Sequence, residues 1–163
     1  MPTNTWVPLA TYEAPSAQST VSFTGIDQGY KNLVLRGTVQ VTNGGASYLT
    51  VRYNNNSSAI YDSIQIYGAA TAASYLANGQ TAFEVVGNQF QTFRQFQFEL
   101  NLNGYSVANK YKTALLNCRP GDNTPRFLAG TFRDATNAVT RIDIIASATS
   151  IATGSSFTIW GLD

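Results

Sequence analysis

Six carboxylates, Asp62, Glu84, Glu99, Asp122, Asp134 and Asp143, are the side chains of this sequence best suited to chemistry. Two of them flanking a sugar could hydrolyse a glycosidic bond, one as acid and the other as base or nucleophile. Glu99 and Asp143 fall in mid-strand, where the ordinary role is a solvated outer face or a partner for a nearby arginine. Cys118 lies in the run LLNCR beside Arg119, which would favour its thiolate. Its strand setting reads instead as a small buried hydrophobe. The sequence has no histidine. That removes the usual general base, the commonest metal ligand and the physiological pH switch together. A nucleophile would then need a lysine or carboxylate as its base, and neither sits in a recognisable motif. The sequence therefore reads as a non-enzyme, with no catalytic residue and no cofactor.

Two loops offer oxygen ligands of the kind calcium accepts, Asp122-Asn123-Thr124 and Asn54-Asn55-Asn56. Both lack the spaced acidic pattern of a dedicated loop, so no metal is assigned. Nine tyrosines and two tryptophans are a richer resource. Tyr48, Tyr61, Tyr67 and Tyr75 fall on or beside the polar phase of their segments. Exposed rings could stack on sugars, or anchor a protein interface, and the interface reading is preferred.

These side chains must be positioned by strands. Strand signals recur at short intervals from Thr20 onward. In LVLRGTVQV, Leu33, Leu35, Val39 and Val41 share one face and Arg36, Thr38 and Gln40 the other. Asn43-Gly44-Gly45 signals a hairpin. In the segments that follow, Leu49, Val51 and Tyr53 fall together, then Ile60, Ile64 and Ile66 in phase with Tyr61 and Tyr67 opposite. The Ala-rich stretch from Gly68 to Asn78 fits one helical turn or a loop. The clearest alternation is QFQTFRQFQFELNL, with Phe90, Phe96, Phe98, Leu100 and Leu102 on one face; Arg94 interrupts that face near its start. Further strands are predicted at Tyr111 to Cys118, Phe127 to Phe132, Val139 to Ala146 and Ser156 to Leu162. Turns are marked by Asn103-Gly104, Pro120-Gly121 and Asp134 to Asn137. Nine or ten strands without a convincing helix imply an all-β, antiparallel β-sandwich of jelly-roll type.

The expected organisation is an extended N-terminal arm, 1–20, and one β-sandwich domain, 21–163. Pro2, Pro8 and Pro15 bar a continuous helix or an interior strand from the arm. It nevertheless carries Trp6, Leu9 and Tyr12, the candidate residues for intermolecular contact. The arm either folds back over its own sheet or lies across a neighbouring subunit. The apolar closing strand should end within the sheet rather than as a free tail.

Composition narrows the partners. Charged residues are 12% of the chain, about half the usual 25%. The net charge is +1, with no basic patch for nucleic acid. No apolar run approaches the roughly 18 residues of a membrane span. No signal-peptide pattern opens the sequence, and one cysteine allows no internal disulfide.

Three segments resemble a family of tailed-phage virion proteins, mostly single β-domains: VSFTGIDQGYKNLVLRGTVQV, LTVRYNNNSSAIYDSIQIYG, and the pair ANKYKT and AVTRIDIIASATSIATGSSFTIWGL. The last is similar to a closing run of the form Gly-Ser-x-Phe-x-Leu-Tyr-Gly, with Trp160 here in place of the tyrosine. The matches span Val21 to Leu162. The resemblance implies a β-sandwich in a phage particle, multimeric and without catalytic residues. The expected function is a capsid decoration or cement protein, binding the capsid exterior as a homotrimer at capsomer junctions, with the major capsid protein or other virion proteins as partners. It would be made in the host bacterial cytoplasm, leaving Cys118 a free thiol. The alternative is a tail fibre or spike module that binds host surface polysaccharide.

Overall fold

The computed structural model describes residues 6–43, 48–68, 72–87, 95–119 and 125–163. Among them lie twelve strands: β1 Val7–Glu13, β2 Thr20–Thr24, β3 Asn32–Val39, β4 Tyr48–Tyr53, β5 Tyr61–Gly68, β6 Ala72–Gln80, β7 Phe83–Gly87, β8 Phe96–Asn103, β9 Lys112–Arg119, β10 Arg126–Phe132, β11 Arg141–Ser147 and β12 Ser156–Leu162. They form an eight-stranded sheet ordered β1-β12-β3-β8-β9-β10-β5-β6 and a four-stranded sheet ordered β2-β11-β4-β7. Every strand pairing is antiparallel. The chain is an all-β two-sheet sandwich of jelly-roll-like topology, as its alternating pattern implies.

Alternation explains most of the core. Leu33, Leu35 and Val39 of β3, Phe96, Phe98, Leu100 and Leu102 of β8, and Phe157 and Ile159 of β12 point inward. From the small sheet, Val21, Leu49, Val51, Ile142 and Ile144 meet them. The closing strand spans Ser156–Leu162, as expected, and is paired on both sides, by β1 and β3. Asn103-Gly104 makes its turn with Gly104 at φ 66°, a backbone region that glycine enters without a Cβ penalty. The predicted Pro120-Gly121 turn, Gly44 and Gly45 of the first hairpin, and Phe90 and Arg94 lie outside the described residues.

Three elements add to the sequence reading or depart from it. Over Val7–Glu13 the N-terminal arm is the edge strand β1, laid along β12 from Val7↔Gly161 to Glu13↔Ser156, with an irregularity between Pro8 and Ala10. An edge is where a strand tolerates proline, because one side of its backbone needs no partner. Secondly, the described part of the Ala-rich stretch is neither helix nor loop. It is β6, paired along β5 from Gly68↔Ala72 to Tyr61↔Gln80. Pairing with a neighbour overrides alanine's local preference.

The third difference decides the surface. In β5 the residues that turn inward are Tyr61, Ser63 and Gln65, while Ile64 and Ile66 face solvent. Tyr61, expected beside the polar phase, is fully buried. Its ring packs on Phe132 at 4.8 Å, Phe83 at 5.1 Å and Tyr53 at 6.1 Å between centroids. A strand has two faces and period two, so fixing Tyr61 inward fixes every other side chain of β5.

Candidate functional site

The large sheet has twice as many strands as the small one, and β6 ends it beyond β5 with no further strand attached among the described residues. The β5–β6 hairpin therefore presents two surfaces, one of each chemical kind.

Its outer surface is apolar. Register places Leu115 of β9 beside Ala129 of β10, Ala129 beside Ile64 of β5, and Ile64 beside Leu76 of β6. In the neighbouring row Phe127 lies directly across from Ile66. Directly paired side chains sit about 5 Å apart, so these form one continuous patch. Ile64, Ile66, Leu76, Leu115 and Phe127 are each between 46% and 64% exposed. The nearest charges on β5 and the chain after β10 are neutralised in a pair, Arg133 to Asp62 at 2.6 Å. Sequence reasoning missed this patch. One signal was available: Leu115 and Leu116 are adjacent in one strand, and only one of them can enter the core.

The hairpin's other surface borders a polar cleft of about 410 Å³. Ser63 and Gln65 of β5 and Tyr75 and Ala77 of β6 form one wall. Thr50 and Arg52, on the side of β4 turned from the core, form another with Tyr48. Gln65 pairs with Tyr75 in register and so shares its face. Gln65 is buried, and its amide makes no hydrogen bond to another described residue. The charges here are already engaged. Arg52 Nε donates to the Thr81 carbonyl at 3.2 Å, and Glu84 pairs with Arg126 at 3.3 Å. Of the four tyrosines singled out by phase, Tyr48 and Tyr75 are exposed at this cleft, Tyr67 is half-buried, and Tyr61 is in the core.

The residues considered for catalysis are tied into the fold. Arg36 Nε donates to Glu99 at 2.8 Å, and Arg141 Nε donates to both oxygens of Asp143, the nearer at 2.8 Å. Asp143 also accepts Ser22 Oγ–H at 2.6 Å. Both carboxylates thus serve as arginine partners. Burial pushes the Glu99 carboxyl up, but hydrogen bonds from Asn101 and Arg36 outweigh it and hold the group below its ordinary value. Asp134 is turned inward on its own loop, accepting from the backbone N–H groups of Thr136 and Asn137. Asp122, with the loop Asp122-Asn123-Thr124, lies outside the described residues. Cys118 is buried on the inner face of β9.

Asn54 and Asn55 take φ of 52°, a left-handed conformation that asparagine tolerates. Asn54 Oδ1 accepts the N–H groups of Thr140 at 2.9 Å and Arg141 at 3.2 Å. Its side chain is spent on holding two loops together. Among the described residues no three His, Cys, Asp or Glu side chains cluster in a way that could hold a metal.

Leu9 and Tyr12 lie in β1 of this chain's own sheet, and Trp6 immediately precedes that strand. Leu9 and Tyr12 pack against the core. Trp6 remains 41% exposed, edge-on to Trp160 at 6.1 Å, with the Arg36 guanidinium 4.7 Å from its ring centre.

The chain matches no family model and no curated protein. Among solved structures it is similar to galectin LEC-6 of Caenorhabditis elegans, at 10% identity and a TM-score of 0.37, covering 94% of this chain and 95% of the galectin. It is similar also to the alginate lyase Aly36B, at 11% identity and a TM-score of 0.37, over 94% of this chain and 77% of the lyase. A third is the CBM40 of Ruminococcus gnavus IT-sialidase bound to α2,6 sialyllactose, at 7% identity and a TM-score of 0.35, over 93% and 92%. No residue role is carried from these proteins to this one.

Proposed function

We propose that this chain is a non-catalytic structural protein of a phage particle, a capsid decoration or cement protein that binds the capsid exterior as a trimer. The observation that carries the assembly role is the apolar patch of Ile64, Ile66, Leu76, Leu115 and Phe127. A stretch of sheet that exposes five large apolar side chains in adjoining registers marks a surface meant to be covered. Burying each of them fully would contribute roughly 1.5–3 kcal/mol. A single such contact is modest, and repetition over a shell multiplies it. The placement in a phage particle rests on the sequence resemblance over Val21 to Leu162.

The test is occupancy on particles that lack the protein. Wild-type chain should bind in hundreds of copies per particle, counted against the major capsid protein. Phe127→Lys combined with Ile66→Glu, an opposite-charge pair at two exposed positions directly across from each other, should fold normally and abolish binding. A few dozen copies or fewer would sink the cement assignment and point to the tail. Undiminished binding by the double variant would remove the apolar patch as the anchor.

The second reading is a tail-associated module that recognises host surface polysaccharide. The cleft beside Gln65 and Tyr75 favours it, because an amide and an exposed ring are what a sugar needs.

A further inference from the structure

We propose that the cleft between β4 and the β5–β6 hairpin is a binding site for an uncharged saccharide. The inference goes beyond the assembly role and does not depend on it. If the assembly role fails and the tail-associated reading stands, the same cleft supplies that reading's binding site.

Three observations point to this ligand class. The first is Gln65. Its residue is nine-tenths buried, yet its amide has no hydrogen-bond partner among the described residues and lines the cleft. The amide is not sealed in the core, so its free edge opens on the cleft, where a ligand's hydroxyl groups can replace water as its partners. Ser63, two residues along and on the same face, is likewise buried with no side-chain partner among the described residues. A sugar hydroxyl both donates and accepts, so it can satisfy an amide and a hydroxyl side by side.

The second observation is aromatic. Tyr75 stands directly across from Gln65 in the β5–β6 register and is 53% exposed. Tyr48 lines the same cleft and is exposed too. A ring beside hydrogen-bonding groups suits a pyranose, which has an apolar face and a polar edge. The third is charge. Arg52 and Glu84 are the charged groups that line the cleft, and they are of opposite sign. Arg52 already donates to the Thr81 carbonyl, and Glu84 is paired with Arg126. Glu84 is thus neutralised, and Arg52 is a single cation already turned onto a carbonyl, not the cluster of cationic donors that gathers a phosphate, a sulfate or a polyuronate. At about 410 Å³ the cleft is within the size range of small-ligand sites, about 300–1,000 Å³.

Affinity electrophoresis of the full chain in native gels tests this, with dextran, galactomannan and soluble starch as uncharged probes and hyaluronate as the anionic one. At least one uncharged polysaccharide should retard wild type. Tyr75→Ala and Gln65→Ala should each weaken that retardation by about tenfold or more, equivalent to 1.4 kcal/mol. Thermal melts of both variants confirm folding, and Tyr75 is exposed enough that its loss should leave the melt unchanged. Ile66→Glu, on the opposite face of the same hairpin, should be retarded like wild type. No retardation by any of the three uncharged probes overturns the proposal, as does retardation by hyaluronate alone. Retardation that survives both Tyr75→Ala and Gln65→Ala overturns it as well. None of these outcomes touches the occupancy test of the apolar patch, so the two readings fail separately.

Discussion

The hydroxyl of Tyr61, the first residue of β5, accepts the backbone N–H of Tyr53, the last residue of β4, at 2.9 Å. Its own hydrogen has the Asn56 carbonyl at 3.1 Å and the Tyr53 carbonyl at 3.3 Å to choose from. One side chain thereby ties the large sheet to the small one. Burial raises the Tyr61 phenol well above its ordinary value, so it remains a neutral donor and acceptor. Tyr61→Phe should keep the fold and lose roughly 1–3 kcal/mol, the cost of leaving buried backbone groups without that partner. Tyr53→Phe is the control. The Tyr53 hydroxyl is buried with no partner among the described residues, so its removal should be neutral or stabilising. Urea denaturation of the two variants measures the contrast.

That contact also explains where sequence reasoning stopped. For β3, β8 and β12 the polar and apolar residues alternate cleanly, and the pattern alone names the buried face. In β5 the alternation is between isoleucine on one side and tyrosine, serine and glutamine on the other. Pattern favours the isoleucines as core. What reverses it is a hydrogen bond from Tyr61 to a residue of another sheet, and nothing local in the sequence announces a partner of that kind. The β5 part of the apolar patch and the Ser63–Gln65 wall of the cleft both follow from the reversal, so both were hidden for one reason; only the adjacent Leu115 and Leu116 of β9 signalled the patch. The arm was half legible: its prolines forbade an interior strand, and an edge strand obeys the same prohibition. The carboxylate roles of Glu99 and Asp143 were readable because each needed only a nearby arginine.

Gly130 should not tolerate a side chain. A Cβ there would lie 2.4 Å from a Phe83 ring carbon and 2.9 Å from the Asp62 carbonyl oxygen. The Phe83 ring is buried among Tyr53 and Tyr61, and the carbonyl is backbone, so neither can step aside. Gly130→Ala should destabilise by about 1–3 kcal/mol, the range for overpacking a filled core. A melting temperature equal to wild type would show that β7 can move away from β10.

Acid should loosen the loop after β10. Burial alone would raise the Asp134 carboxyl, but the backbone and side-chain donors of Thr136 and Asn137 hold its ionised form and set it below the ordinary value. Lys112 Nζ donates to the carbonyls of Asp134 and Asn137, fixing the same loop from beneath. A carboxyl lowered by folding contributes stability that is complete above its unfolded value, about 3.9. The contribution is lost as pH falls through the folded value. Stability measured by urea should therefore fall below about pH 4, and Asp134→Ala should flatten that part of the curve. At neutral pH the same variant should be less stable by about 1 kcal/mol or more.

Cys118 should be inert in the folded protein. Its side chain is buried on the face of β9 that meets the core, and a thiol reacts as its thiolate with reagent that can reach it. A chromogenic disulfide should titrate no thiol promptly in buffer and one per chain in denaturant. Prompt reaction in buffer would mean that β9 opens locally at little cost.

Removing residues 1–13 distinguishes an integral strand from a loose arm. β1 is hydrogen-bonded to β12 along Val7–Glu13, and Leu9 and Tyr12 lie against the core, Tyr12 held by Gln18 at 2.9 Å. Deletion uncovers the β12 edge and the apolar surface beneath both side chains. Each is half-buried, so the loss should be roughly 2–4 kcal/mol, below what full burial of both would contribute. The slope of the urea transition should also shrink, because a smaller folded unit exposes less surface on unfolding. Trp6 leaves with the segment, so Trp160 loses its edge-on neighbour and its fluorescence should report the change directly. An arm whose business was elsewhere would leave midpoint, slope and Trp160 emission as they are in the full chain.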